Sequence, residues 1–224
     1  MFARWSAAGG GRIRIGKFGR KQTTLFIELC DLSRGMITSM QLSRNGKRLV
    51  VRVHRLGCRV LNLADSGTVW QKEEMGLGVR PFLSPSGRYV LLCSLDGRTE
   101  IVDLDTQEFI QQLQLQPNTG RVLFGADDDY IFIEQGFDAV LLNWKTGSSQ
   151  ILCFGAPASI SDDARWLVTQ SETRKLSLWM LPDQRRVATF TLDAPVLHAA
   201  LSPDGRFLVA GDQSGGVHIL HRQG

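Results

Sequence analysis

Short runs of apolar residues separated by polar turns fill this chain from Ile37 to Leu220. One landmark recurs five times, a turn of the Ser-Pro-Asp-Gly form followed at once by an apolar run. It reads LSRNGKRLVV at 42–51, LSPSGRYVLL at 83–92, FGADDDYIFI at 124–133, ISDDARWLVT at 160–169 and LSPDGRFLVA at 201–210. With Ser43, Ser84, Gly125, Ser161 and Ser202 as equivalents, the steps are 41, 41, 36 and 41 residues. A period near 40 accommodates four short strands and marks a repeat architecture.

The letters of the turn have physical reasons. Pro presets φ, Asp or Asn bonds its own backbone, and Gly accepts positive φ. Each landmark therefore closes a hairpin between a strand a and a strand b. Strand a is expected at Ile37–Leu42, Val79–Leu83 and Val196–Leu201; strand b at Arg48–Val53, Tyr89–Cys93, Tyr130–Ile133, Trp166–Thr169 and Phe207–Ala210. These runs are too brief for helices and are rich in β-branched and aromatic residues. Being apolar almost without interruption, they suit sheets buried on both faces. A second turn, usually carrying Gly, leads into strand c at Arg59–Leu63, Thr99–Leu104, Ala139–Trp144, Lys175–Leu181 and Val217–His221. A third polar turn precedes strand d at Thr68–Gln71, Glu108–Leu115, Gln150–Phe154 and Val187–Leu192.

In this register the chain is one all-β domain over 1–224, with full four-stranded units at 36–76, 77–116, 118–155 and 156–193 and partial ones at 1–35 and 194–224. Before Ile37, residues 2–6 fit a strand b, 10–18 a turn with strand c, and 23–29 a strand d. The last unit supplies a, b and c. Residues 23–29 can complete that last unit, or the chain can be the tail of a larger array.

The SPDGR hairpin, the Asp-Gly turn, the IVDLDTQE strand and the weak d strand recur in an order that resembles the WD40-repeat β-propeller family over nearly the whole chain. The resemblance implies about five to six blades of four-stranded antiparallel sheet, with incomplete terminal blades. It also implies a scaffold whose b–c and d–a loops share a partner-binding rim. No strand c ends in Trp-Asp, although Trp179-Met180 and Val102-Asp103 each keep half of the pair, and the Gly-His that precedes strand a in the family is missing. The family's Asp–His hydrogen-bond network is therefore expected to be lost, leaving apolar packing to hold the blades. The ending LVAGDQSGGVHIL resembles the closing repeat of propellers attached to larger bacterial signalling or NTPase proteins.

Charge changes the picture at one end only. The net +4 hides an asymmetry: residues 1–60 hold 13 Lys or Arg against Glu28 and Asp31, and the remainder holds 13 against 20 acids. A basic first third, with Arg12, Arg14, Lys17, Arg20, Lys21, Arg44, Lys47, Arg48, Arg52, Arg55 and Arg59, is the feature that would attract RNA or an anionic membrane. The N-terminus lacks the apolar stretch of a secretory signal, and no run reaches the length of a membrane-spanning helix. Cys30, Cys58, Cys93 and Cys153 fall in different repeats with no CxxC pair, so they are expected to be unpaired, buried thiols of a cytoplasmic protein.

Candidate chemistry adds little. Asp127, Asp128 and Asp129 offer carboxylates for a hard cation, yet they occupy the slot where other repeats place turn residues. His218 and His221, three apart on a strand, point to opposite faces and cannot chelate one ion together. His54 and His198 are isolated, no catalytic motif is present, and neither a cofactor nor a metal site is expected. The reading is a non-catalytic protein-interaction platform that binds another protein or peptide. Its partner-contacting residues are expected on the b–c loops: His54, Arg55, Asp96, Phe137, Arg174, Asp212 and Gln213. A binder of RNA or anionic membrane is the alternative.

Overall fold

The computed structural model describes residues 2–6, 12–16, 24–28 and 37–222, except 74, 77, 118, 120 and 182. The described residues form 22 strands and no helix, ordered as six antiparallel sheets of sequential strands. Two compact units divide the chain at Pro117 and Asn118, with three sheets in each.

The first unit opens with β1 (Phe2–Ser6), β2 (Arg12–Gly16) and β3 (Thr24–Glu28), paired in that order. They are strands b, c and d of a partial blade. β3 bonds to β2, with Ile27 opposite Ile13. The second sheet holds β4 (Ile37–Leu42), β5 (Arg48–Val53), β6 (Gly57–Asn62) and β7 (Thr68–Lys72). The third holds β8 (Arg80–Leu83), β9 (Tyr89–Cys93), β10 (Arg98–Asp103) and β11 (Glu108–Gln114).

The second unit has β12 (Val122–Phe124), β13 (Tyr130–Gln135), β14 (Asp138–Asn143) and β15 (Ser149–Phe154) in its first sheet, the fourth of the chain. The fifth has β16 (Ala156–Ile160), β17 (Trp166–Glu172), β18 (Lys175–Met180) and β19 (Arg185–Thr191). The sixth has only β20 (Val196–Leu201), β21 (Phe207–Asp212) and β22 (Val217–His221).

The uninterrupted apolar runs have the cause the pattern suggests. Because successive side chains point to opposite faces, Leu49, Val51 and Val53 of β5 enter one cluster, while Val50 packs with Val90, Leu92 and Val102 of the third sheet. In β17, Leu167 faces Phe132 and Cys153 of the fourth sheet, and Val168 faces Leu208 and Ala210 of the sixth. All five residues of β9 are buried. The exception is β21, where Leu208, Ala210 and Asp212 are buried but Phe207 and Val209 are exposed. Those two side chains alternate with the ones packed on the fifth sheet.

The landmark turns are built alike. The N–H of Ser43, Ser84, Gly125, Ser161 and Ser202 donates to the carbonyl five residues on, at 2.8–2.9 Å. The left-handed position falls on Gly46, Gly87, Ala164 and Gly205. Ser43, Ser161 and Ser202 donate to Asn45, Asp163 and Asp204 at 2.6–2.7 Å. Within each unit neighbouring turns lie side by side: Asn45 N–H donates to Pro85 O (3.2 Å), and Asp162 N–H to Pro203 O (2.9 Å).

Candidate functional site: the b–c loop rim

At the other end of the strands, b–c loops meet d–a connections, and hydrogen bonds tie them. Leu115 N–H donates to Gly97 O (2.8 Å), Gly155 N–H to Phe137 O (2.7 Å), Val196 N–H to Thr173 O (2.7 Å) and Gln213 N–H to Pro195 O (2.8 Å). Two glycines are required here. Gly97 has φ +87°, and a Cβ on it would sit 2.1 Å from the Leu115 carbonyl oxygen. Gly57, at φ +93°, would place one 2.0 Å from Lys72 O. The first b–c turn is therefore His54–Leu56, with Arg55 left-handed (φ 64°) and Gly57 already in strand c, which starts two residues earlier than the Arg59 the pattern suggests.

The seven expected contact residues divide between the units. In the first, His54 is half-buried and Arg55 is exposed. Asp96 is exposed but occupied: it accepts from the N–H of Arg98 (3.1 Å) and from its Nε (2.7 Å). Those two bonds, the backbone one foremost, hold its carboxyl below the usual range.

In the second unit Phe137 is 79% exposed and lies against the Phe154 ring, centroids 6.5 Å apart. Phe154 (51%) and Ile151 (64%) on strand d extend the apolar surface. Neither was singled out in the sequence, because strand d reads only as a weak, partly apolar run. Arg174 and Gln213 are exposed and flank the Asp193–Pro195 link: Arg174 Nη1 donates to Asp193 O (3.2 Å), and Gln213 N–H to Pro195 O.

Asp212 departs from the expectation. Its side chain is 2% exposed and is consumed internally. It accepts from the Ser214 hydroxyl (2.6 Å), the N–H of Ser214 (2.9 Å) and Gly216 (2.8 Å), and His218 Nε2 (2.7 Å). The His218 bond, with the Ser214 hydroxyl next, holds the carboxyl far below its ordinary value. Asp212 is thus a turn-building group whose side chain is turned into the fold. The spacing Asp212, Ser214, Gly216, His218 was the available signal.

The two half-dipeptides are also at work. Trp179 Nε1 donates to Thr169 Oγ1 (2.9 Å), which donates to Phe154 O (3.0 Å), linking strands c and b of the fifth sheet to the fourth. Asp103 is buried and paired with Arg88 at 2.7 Å. Burial would raise its carboxyl, but Arg88 and the Asp105 N–H outweigh that and lower it. Apolar packing does not hold the sheets alone.

The remaining candidates fall outside a chemical site. Among the described residues no three His, Cys, Asp or Glu side chains are grouped to hold a metal. Asp127 accepts the Asp129 N–H (3.1 Å), and Asp129 pairs with Lys145 (2.5 Å). His218 turns inward to Asp212, while His221 packs on Phe207, ring centroids 4.8 Å apart. Cys58, Cys93 and Cys153 are free and buried, and burial pushes their thiols up to about 12, 11 and 12. Cys30, Lys17, Arg20 and Lys21 lie outside the described residues. In the basic third, Arg48 donates to Gly87 O and pairs with Asp105, and Arg52 donates to Gly76 O. Among the described residues no helix is long and apolar enough to cross a membrane.

The WD domain, G-beta repeat family matches residues 184–219, the span from the c–d turn of the fifth sheet to the last strand. The chain carries one WD40 repeat in this segment, at the end of an array of like sheets. Among solved structures, KlHsv2 with loop 6CD replaced by a Gly-Ser linker is similar at 14% identity and TM-score 0.64, over 84% of this chain and 63% of that one. The chain therefore spans less than two thirds of that structure, and the likeness establishes the fold alone. No curated protein matched.

Proposed function

We propose that this chain is a non-catalytic platform that docks another protein or peptide on the loops joining strands b to c. The observation that carries the reading is the Phe137 ring, 79% exposed and braced by Phe154. A large aromatic held in water by a rigid turn costs solvation without aiding the fold, and aromatic and Arg anchors dominate binding energy at interfaces. Within the first unit, the corresponding candidate anchor is Arg55, in a left-handed turn. WD40 propellers are generally scaffolds of this type. Reduced, buried cysteines suit the reducing cytoplasm, where we place the chain.

The test is calorimetric titration of a purified partner against the wild type, Phe137→Ala and Arg55→Ala. Each substitution is expected to weaken binding about tenfold or more, as hot-spot truncations do, with melting temperature unchanged. Unchanged affinity in both, or binding that collapses steeply with salt as phosphate contacts require, would overturn the proposal.

A further inference from the structure

At the landmark-turn end the junctions between neighbouring sheets are filled by different side chains. Between the second and third sheets, Arg48 crosses to Gly87 O (2.8 Å) and Asp105 (2.6 Å). Between the fifth and sixth, the Arg222 guanidinium lies 4.1 Å from the Trp166 ring centroid. The repeat position of Arg48 and Trp166 in the fourth sheet is Tyr130, which is 38% exposed and borders a cleft of about 470 Å³. That volume lies within the range of sites that hold a ligand group.

The floor of this cleft is apolar, made by Phe132, Leu141, Leu152 and Leu181. The charged residues lining it are two acids, Asp127 and Asp163, and one base, Arg165. Asp163 Oδ1 accepts from the Ser161 hydroxyl and the Arg165 N–H, which leaves its second oxygen for a ligand. Lys145, paired with Asp129, stands outside the lining. An apolar slot under a net negative rim is complementary to one ligand chemistry, a large apolar side chain with a cation beside it.

We infer that this cleft docks an extended segment of a partner protein, seating a Leu, Met or aromatic side chain on Leu141 and Leu152 with a flanking Lys or Arg at Asp127 and Asp163. It lies at the opposite end of the strands from Phe137 and is independent of docking there.

Random heptapeptides displayed on phage and selected on the full chain test this, with enriched sequences synthesised and titrated by fluorescence polarisation. The expected peptides place a large apolar residue next to Lys or Arg, and their affinity falls as salt rises. Gln150→Trp, from the exposed outer strand, blocks the mouth and weakens binding at least tenfold. Ala126→Trp repeats the block from the facing turn. Asp127→Asn, which keeps the acceptor for Asp129 N–H, weakens binding at least threefold. Phe137→Ala leaves it unchanged, so failure here is separable from failure at the other rim. The inference is overturned if no peptide is enriched, if enriched peptides lack the pattern, if they bind both Trp variants like the wild type, or if an RNA oligonucleotide competes for the cleft.

Discussion

Asp212 and Asp103 are carboxylates drawn into the fold to complete it, and both are held below their ordinary value by donors. A group depressed in the folded state stabilises above its unfolded pKa of about 4, and that contribution fades as pH falls toward the folded value. Thermal melts of the wild type are therefore expected to lose ground steadily below pH 4. The Asp212→Asn variant, less stable at pH 7, is expected to show a smaller loss over the same acid range. Parallel pH profiles for the two proteins would refute this role. Both residues were visible as letters, Asp212 before Ser-Gly-Gly and Asp103 as half of a family dipeptide. What the letters could not show is direction: a turn Asp that faces water and one that faces its own backbone share the same local sequence.

At the scale of the strand, the sequence was legible wherever a turn demanded particular residues. The bounds of β4, β5, β9 and β22 match the pattern residue for residue, since Pro, Asn, Asp or Gly stand where the chain must bend. β12, with three residues, had no such marker in the fourth repeat, where Gly-Ala-Asp-Asp-Asp replaces Ser-Pro-Asp-Gly. The same substitution leaves Tyr130 beside the cleft, which no local pattern announces because two different sheets form its walls. The glycines of the b–c turns divide into two kinds. Gly136 (φ +64°) has open space around a would-be Cβ, so Gly136→Ala is expected to cost about 1 kcal/mol, the left-handed strain alone. Gly97→Ala adds a collision with the Leu115 carbonyl and is expected to cost about 3 kcal/mol or more. Urea midpoints that shift equally in the two variants would contradict the close approach.

For the whole chain, the repeat period and the apolar runs were enough to give the fold, because a sheet buried on both faces leaves a distinctive sequence. The exposure of Phe207 and Val209 was not legible, as FLVAGD reads like every other strand b. Partner chemistry was legible only in part: Phe137 was evident as a lone aromatic in a turn, whereas its brace Phe154 needed the register that sets Asp138 opposite Phe154. The central claim is that the b–c loops display the contact groups while the strands stay rigid. Amide hydrogen exchange across the chain, with and without a bound partner protein, tests it most directly. The account predicts added protection at 54–56, 136–138 and 154–155, with the landmark turns at 43–47, 84–88 and 202–206 unchanged; protection of those turns with none on the b–c loops would contradict it.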